Sequence, residues 1–581
     1  MHHIESRANS RATPPATPRA TQGRSDSAVA GSFALTLICV LIASGCTSTA
    51  HRATGPAKFH DVRAYGATGD GKSLDSPAIN KAIQQIASAG GGTLYFGPGT
   101  YRCYSIRLKS NIALYLDQGA TILAAENPLD ENAPGYDPPE PNPWDPYEDF
   151  GHSHWHNSLI WGENLENISI LGPGRIDGKG LTRGGNPRRP RGAATRSGAS
   201  TRPASPRVEA PRANRATTKF GYPGGDTLPS GIGNKSIALK LCRNVILKDF
   251  TIYQGGHFAI LATGVDNFTL SNLKIDTNRD GVDLDCCRNV RMSDCTVNSP
   301  SDDGICPKSS YALGEPRPCE NITITNCQVS GWEMGSMLDG TFKQNRGGPG
   351  TGRIKFGTES NGGFKNITIS NCVFTYCRGL ALETVDGALL EDVTITNITM
   401  RDIGNAPIFM RLGSRMRAPD DAKVGALRRI VISNVVAWNV GGSLSSIISG
   451  IPGHDIEDVL IKDIRFYYKG GGTAEQAASQ PAEKENTYPE PGMFAPTPAY
   501  GFFIRHVKNI QLENVQVSAL QPDARPAFDL HDVKGASFFR VSAQKSTGAA
   551  TFHLRDVFDF STQFCPGIPD TRRDSAKDER F

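Results

Sequence analysis

Asn-Val-Ile-Leu-Lys-Asp (244–249), Asn-Phe-Thr-Leu-Ser-Asn (267–272), Asn-Val-Arg-Met-Ser-Asp (289–294) and Asn-Ile-Thr-Ile-Thr-Asn (321–326) are four copies of one short unit. It returns as Asn-Ile-Thr-Ile-Ser-Asn (366–371), Asp-Val-Thr-Ile-Thr-Asn (392–397), Asp-Val-Leu-Ile-Lys-Asp (458–463) and Asn-Ile-Gln-Leu-Glu-Asn (509–514), with a weaker copy, Arg-Ile-Val-Ile-Ser-Asn, at 429–434. Inside each unit apolar residues alternate, many of them β-branched, so each reads as a strand with one buried face. Asn and Asp tolerate the left-handed backbone conformation and bond their own backbone, which suits the bends at both ends. The first starts lie 23 and 22 residues apart. That period is too short for a pair of helices. It fits an all-β parallel β-helix, a solenoid in which each coil buries its face against the next. Longer intervals are coils that carry loops. A sandwich of short strands would not hold one signature from residue 244 to residue 514.

Working outward, the composition agrees. The chain has 581 residues with 62 Gly and 38 Pro, as a loop-rich β protein requires, and a net charge of only +4. Much of its arginine lies in 180–219 among Gly, Ala, Ser, Thr and Pro, a composition that cannot build a core, so this reads as a disordered insertion. It lacks interleaved aromatics, and no nucleic-acid partner is expected. At the N-terminus, the apolar run 33–42 ends in Ala43-Ser44-Gly45-Cys46. The run has signal-peptide length and is too short to span a bilayer. The box after it points to export, to the periplasm or cell surface, with Cys46 as a lipidated anchor in the outer membrane. The expected organisation is an export segment over 1–46, one β-helix over 57–560 and a C-terminal tail over 561–581. Ser76 is a helix N-cap candidate, with Pro77–Ser88 as a short capping helix. Cys295, Cys327 and Cys372 each follow the closing residue of a repeat, so they should stack as buried thiols. No pair of CxxC units speaks for zinc, and no metal, cofactor or second subunit is expected.

The chemistry concentrates between Asn278 and Lys308. Asn-Arg-Asp-Gly-Val-Asp (278–283) is followed by Ser-Asp-Asp-Gly-Ile (301–305), so Asp302 and Asp303 lie 22 and 23 residues after Asp280. One coil apart, the three carboxylates should stack on one face, with neighbouring strands about 4.8 Å apart. Such a group, part protonated and part ionised, suits acid/base cleavage of a glycosidic bond.

Residues 59–116, from Phe-His-Asp-Val-Arg-Ala-Tyr-Gly through Gly90-Gly-Gly-Thr-Leu-Tyr-Phe to Leu108-Lys-Ser-Asn-Ile-Ala-Leu-Tyr-Leu, resemble the N-terminal cap of pectin-degrading right-handed β-helix enzymes. The Asn278–Lys308 block resembles glycoside hydrolase family 28, the polygalacturonases, whose signature is Asn-Thr-Asp-Gly, Gly-Asp-Asp, Gly-His-Gly and Arg-Ile-Lys. The resemblance implies hydrolysis of a pectin-like acidic polysaccharide with inversion. It implies Asp302 as general acid, Asp280 and Asp303 as holders of the attacking water, and Asn278 and Lys308 as sugar-binding residues. An inverting course fits carboxylates spaced widely enough to admit a water. A lyase or a non-catalytic carbohydrate binder on the same fold is the alternative.

The chain departs from the family pattern in two places. No Gly-His-Gly follows the Asp pair; its register falls on Thr351-Gly352-Arg353. The Arg-Ile-Lys element then belongs at 380–384, where Ala381 and Glu383 replace the cations. Arg353, Lys355 and Arg411 are candidates to grip an acidic sugar instead, and His257 to replace the missing histidine. Aromatics on the insertions 125–157 and 467–500, among them Trp144, Trp155, Tyr147, Tyr468, Tyr488 and Phe494, are candidates for stacking on sugar rings, or for packing against the solenoid.

Overall fold

The computed structural model describes residues 59–129, 132–183, 228–544 and 548–581. The export segment with Cys46 and residues 184–219 of the basic insertion lie outside the described residues.

The repeats form the parallel coils that their spacing predicts. Strands Arg243–Lys248, Asp266–Ser271, Arg288–Ser293 and Cys319–Thr325 lie side by side, with Val245 opposite Phe268, Phe268 opposite Val290 and Val290 opposite Ile322. These residues make one buried column in a core that runs the length of the solenoid. The repeat ends are the turns. Asn244, Asn267, Asn289 and Asn321 have φ between 53° and 58°, in the left-handed region that Asn tolerates. Their amides link along the axis: Asn267 Nδ2 donates to Asn244 Oδ1 at 3.1 Å and Asn366 Nδ2 to Asn321 Oδ1 at 2.8 Å. A second ladder joins the closing residues, as where Asn397 Nδ2 donates to Asn371 Oδ1 at 3.0 Å. Cys295, Cys327 and Cys372 are buried free thiols at equivalent coil positions.

Helix Ser76–Ser88 lies at the first coils and buries Ile79, Ala82, Ile83 and Ile86. Its N-cap residue is Asp75, one position earlier than expected. Asp75 does not cap the helix through its side chain; its carboxylate instead accepts from the Thr68 and Gly69 backbone N–H groups. The C-terminal residues are also more ordered than a tail. Strand Phe552–Gln563 crosses the expected boundary, and strand Thr571–Arg580 pairs with it antiparallel.

A separate six-stranded parallel sheet positions the site. Its order is Ile305–Lys308, Asp280–Asp285, Phe258–Thr263, Lys235–Lys240, Ser158–Glu163 and Ile106–Arg107. Val282 and Leu284 point into the solenoid core, so by strand alternation Asp283 and Asp285 face outward. This outer face is roofed by the insertions. Trp155 is fully buried and donates from Nε1 to Thr263 Oγ1 at 3.0 Å. Phe494 packs with Phe409 and Phe503, and Tyr468 lies in the main core. These three aromatics are packing residues. Tyr488, 41% exposed, is not.

Candidate functional site

Asp280 opens its strand, and Asp302 and Asp303 sit in the turn before the next one. Close backbone contact brings them together. The Gly281 N–H donates to the Asp303 carbonyl at 3.0 Å. A Cβ on Gly281 would lie 2.4 Å from the Gly304 carbonyl oxygen, so only glycine fits between these coils. The Ser299 hydroxyl donates to the Asp302 carbonyl at 2.9 Å and pins the turn. One oxygen from each of Asp280, Asp302 and Asp303 then lies within 4.8 Å of the others. That convergence would also suit a cation, as would the group Asp455, His506 and Asp532 near the far end. Coil stacking sets this closest approach of the oxygens.

The three acids have different surroundings. Asp280 and Asp303 are buried, and Asp302 is partly exposed and paired to Arg279 at 2.5 Å. Burial, then the charges of Asp302 and Asp283, push the Asp280 carboxyl well above the usual range. Burial acts the same way on Asp303, but Lys355, Arg353 and Lys308 outweigh it and hold Asp303 ionised. Arg353 Nε lies 2.8 Å from Asp303 and Lys355 Nζ 3.2 Å. Two further acids stand close by. Burial raises Asp283 to about 7 against the pull of Lys308 and His152, and raises Glu383 to about 7 against Lys355 and Arg353. Neither carboxylate has a hydrogen-bond donor. Each has a lysine ammonium nearby, at 3.9 Å for Asp283 and 3.8 Å for Glu383.

The cations named from sequence are all present, and their placement changes their reading. Arg353 and Lys355 lie on the coil after the Asp pair, with Ile354 opposite Ile305 and Lys355 opposite Ala381. Both are buried against Asp303 rather than open to a sugar carboxylate. Lys308 is buried between Glu359, at 3.2 Å, and Asp283. Arg411 is 1% exposed, and its guanidinium donates to Ser449 Oγ and to the Gly450, Glu483 and Lys484 carbonyls. It anchors the 469–500 segment. His257 packs against Phe150 and Phe258, and its Nδ1 meets the Arg183 carbonyl at 2.9 Å. Burial and the Arg279 charge hold its imidazole well below the ordinary histidine value. Asn278 lines a cleft of ≈ 510 Å³ with Arg183, Ser301, Glu333 and Asn345, at the turn that bears Asp302.

Sequence reasoning missed Arg279, His152, Glu359 and Glu490. Arg279 was legible, since it adjoins Asp280. His152 and Glu490 come from the insertions, and no periodicity tells where an insertion lands. His152 Nδ1 lies 3.0 Å from Glu359. Burial would raise Glu359, but His152, Lys308 and Arg417 hold it well below the usual range.

Comparison with known proteins agrees with this architecture. Residues 59–132 match the family model described as Rhamnogalacturonase A/epimerase, pectate lyase-like, and residues 230–346 match the right handed beta helix region. The chain has the right-handed parallel β-helix fold, and its first coils are similar to those of the pectate lyase-like family. Among curated proteins it is similar to polygalacturonases. It is 23% identical over 426 residues to a probable polygalacturonase of Vitis vinifera, covering 69% of this chain and 73% of that protein. It is 23% identical over 380 residues to an exo-poly-alpha-D-galacturonosidase of Dickeya chrysanthemi, covering 62% of this chain but only 58% of that protein. The solved family 28 exopolygalacturonase of Yersinia enterocolitica shares the fold, with a TM-score of 0.54 at 20% identity over 88% of this chain and 79% of that one.

Proposed function

We propose that this chain is an exported glycoside hydrolase that cleaves a pectin-like polysaccharide with inversion at the anomeric carbon. The observation that carries the reading is the meeting of Asp280, Asp302 and Asp303 on consecutive coils in opposed electrostatic settings. Asp280, pushed well above the usual carboxylate range by burial and its neighbours' charges, holds a proton that it can pass to the partly exposed Asp302 beside it. Asp302, the exposed member, gives that proton to the glycosidic oxygen as the bond to the anomeric carbon breaks. A water held by Asp280 and Asp303 attacks that carbon from the other face and gives up a proton to Asp280. Asp303, kept ionised by Arg353 and Lys355, orients the water and offsets the positive charge that develops on the sugar. The inverting course rests on the family resemblance, not on the carboxylate separation.

The substrate at the cleavage subsite follows from the cations. Arg279, Lys308, Arg353 and Lys355 each face a protein carboxylate within 4.0 Å, and Glu383 stands where the family pattern places a cation. A neutral sugar, such as a rhamnose-type residue, avoids opposing Glu383. The exposed ring of Tyr488, 5.3 Å above the Lys355 ammonium, offers a surface for a sugar ring.

The test is incubation with polygalacturonate, rhamnogalacturonan and neutral glycans, with product size and anomeric configuration read by NMR. The expected result is α-to-β inversion and faster cleavage of rhamnogalacturonan than of polygalacturonate. Products ending in an unsaturated sugar would identify a lyase instead. Binding without cleavage of any polymer would identify a carbohydrate binder.

A further inference from the structure

Asp303 is tied to a distant segment of the chain. The residues 469–500 cross the outer face of the later coils with only two short helical turns, Ala474–Ala477 and Pro491–Phe494. Buried guanidinium groups hold its backbone from beneath. Arg411 donates to the Glu483 and Lys484 carbonyls, and Arg505 Nη1 donates to the Pro481 carbonyl at 2.7 Å. Phe494 fastens the other end in an apolar cluster with Ala381, Phe409 and Phe503. Between these anchors the strap places Glu490 over the site. Glu490 Oε1 lies 2.6 Å from Arg353 Nη2, and its Oε2 lies 3.1 Å from Arg378 Nη1. Arg353 turns its remaining edge, Nε, to Asp303.

We propose that Glu490 is a positioning residue for Asp303, acting through Arg353; this rests on the hydrolase reading given above. The planar guanidinium fork has a fixed geometry. Gripping its Nη edge fixes where Nε points, and Nε is the donor that orients the Asp303 carboxylate. Glu490 also sets the charge of the site. Arg353 and Lys355 bring two positive charges against Asp303 and the half-neutralised Glu383. Without Glu490 the carboxylate cluster would sit in a more positive field, and its acids would give up their protons at lower pH. The anchors hold the strap partly by charge, since Arg505 Nη1 lies 3.0 Å from the Glu483 carboxylate, but none of Arg411, Arg505 and Glu483 is among the largest influences on Asp303 or Glu383.

Glu490→Gln separates positioning from mere bracing. It keeps an oxygen for Arg353 and removes the charge. Against the best polymer of the panel, kcat is expected to fall about ten- to a hundred-fold, as for a misoriented catalytic group. KM should stay within about threefold, and the alkaline limb of the kcat/KM profile should move to lower pH. A strap that only braces the fold would lower thermal stability without moving that limb. Glu485→Gln, at a strap residue whose backbone carbonyl accepts from the Ser414 N–H at 2.8 Å and whose charge acts on the anchor Arg411, serves as the control with unchanged rate and profile. Wild-type kcat and an unmoved limb in Glu490→Gln would overturn the proposal. A crystal structure of Glu490→Ala reads the geometry without substrate: expected is Arg353 turned off Asp303, and an unchanged Arg353–Asp303 pair would overturn the proposal. A wild-type chain that cleaves no polymer would sink the hydrolase reading, and the Glu490→Ala structure would still decide the positioning claim.

Discussion

The Asn and Asp ladders at the turns and the carboxylate cluster at Asp280, Asp302 and Asp303 use similar residue types on the same coil spacing. In the ladder each side chain finds its neighbour's complement. Asn267 donates to Asn244 and Asn244 to Asn167, at the exposed turn, with no net charge. In the cluster, like meets like out of water. Asp283 and Glu383 lack any hydrogen-bond donor, and Asp280 is pushed toward its neutral form by burial and by its neighbours' charges. Stacking one polar column thus stiffens a solenoid where amides alternate donor and acceptor at the surface. It creates opposed proton affinities where carboxylates are stacked and roofed. Burial and the insertions make the difference, not the repeat.

The sharpest way to break this contrast is to remove one carboxylate from the cluster. Asp302→Asn is expected to lower kcat by about 10²–10⁴-fold while shifting the melting temperature little, because Asp302 is partly exposed. Initial rates and calorimetry on the same preparation check both halves. Near-normal turnover would place the chemistry elsewhere.

A smaller effect is expected in the pH dependence of stability. Glu383 is raised to about 7 in the folded chain, against about 4.3 for an ordinary glutamate. The folded state therefore holds this proton more tightly than the unfolded chain. The resulting stability is complete below about pH 4.3, falls as pH rises toward 7, and then levels off. Glu383→Gln should flatten that decline in melting curves taken from pH 4 to 8. An unaltered slope would mean that Lys355 already keeps Glu383 ionised.

The ladder should give the smallest effect and no change in chemistry. Asn321 has φ 58° and links Asn289 to Asn366. Asn321→Ala is expected to cost about 1–2 kcal/mol in urea denaturation, from the strained backbone and the lost bonds. Asn321→Gly should recover part of this, since glycine adopts the turn without strain. Turnover should be unchanged in both. If Gly were as costly as Ala, the bonds rather than the backbone would carry the ladder.

The coils were legible because their signal is local: each repeat states its own strand and its own turns. The three aspartates were legible for the same reason, since 22 and 23 residues make one coil. The partners of those aspartates were not. Arg353 and Glu490 are 137 residues apart, and the Asp149 N–H reaches Glu359 across 210. The sequence offered Arg411 only as one more cation; its place opposite Glu383 and its grip on the strap carbonyls depend on the path of the insertion. The helix cap and the C-terminal boundary moved for reasons of tertiary pairing, which propensity does not encode.

The antiparallel strand Thr571–Arg580 has a consequence for how the molecule behaves in a crowd. A stack of parallel coils is in principle endless, and its last strand would offer a row of free N–H and C=O groups to any second solenoid, the template from which fibres grow. Here the chain doubles back and occupies that row itself. Seven of the ten residues in the covering strand are charged, so the new outer edge repels rather than recruits. The reversal covers that edge of the parallel stack.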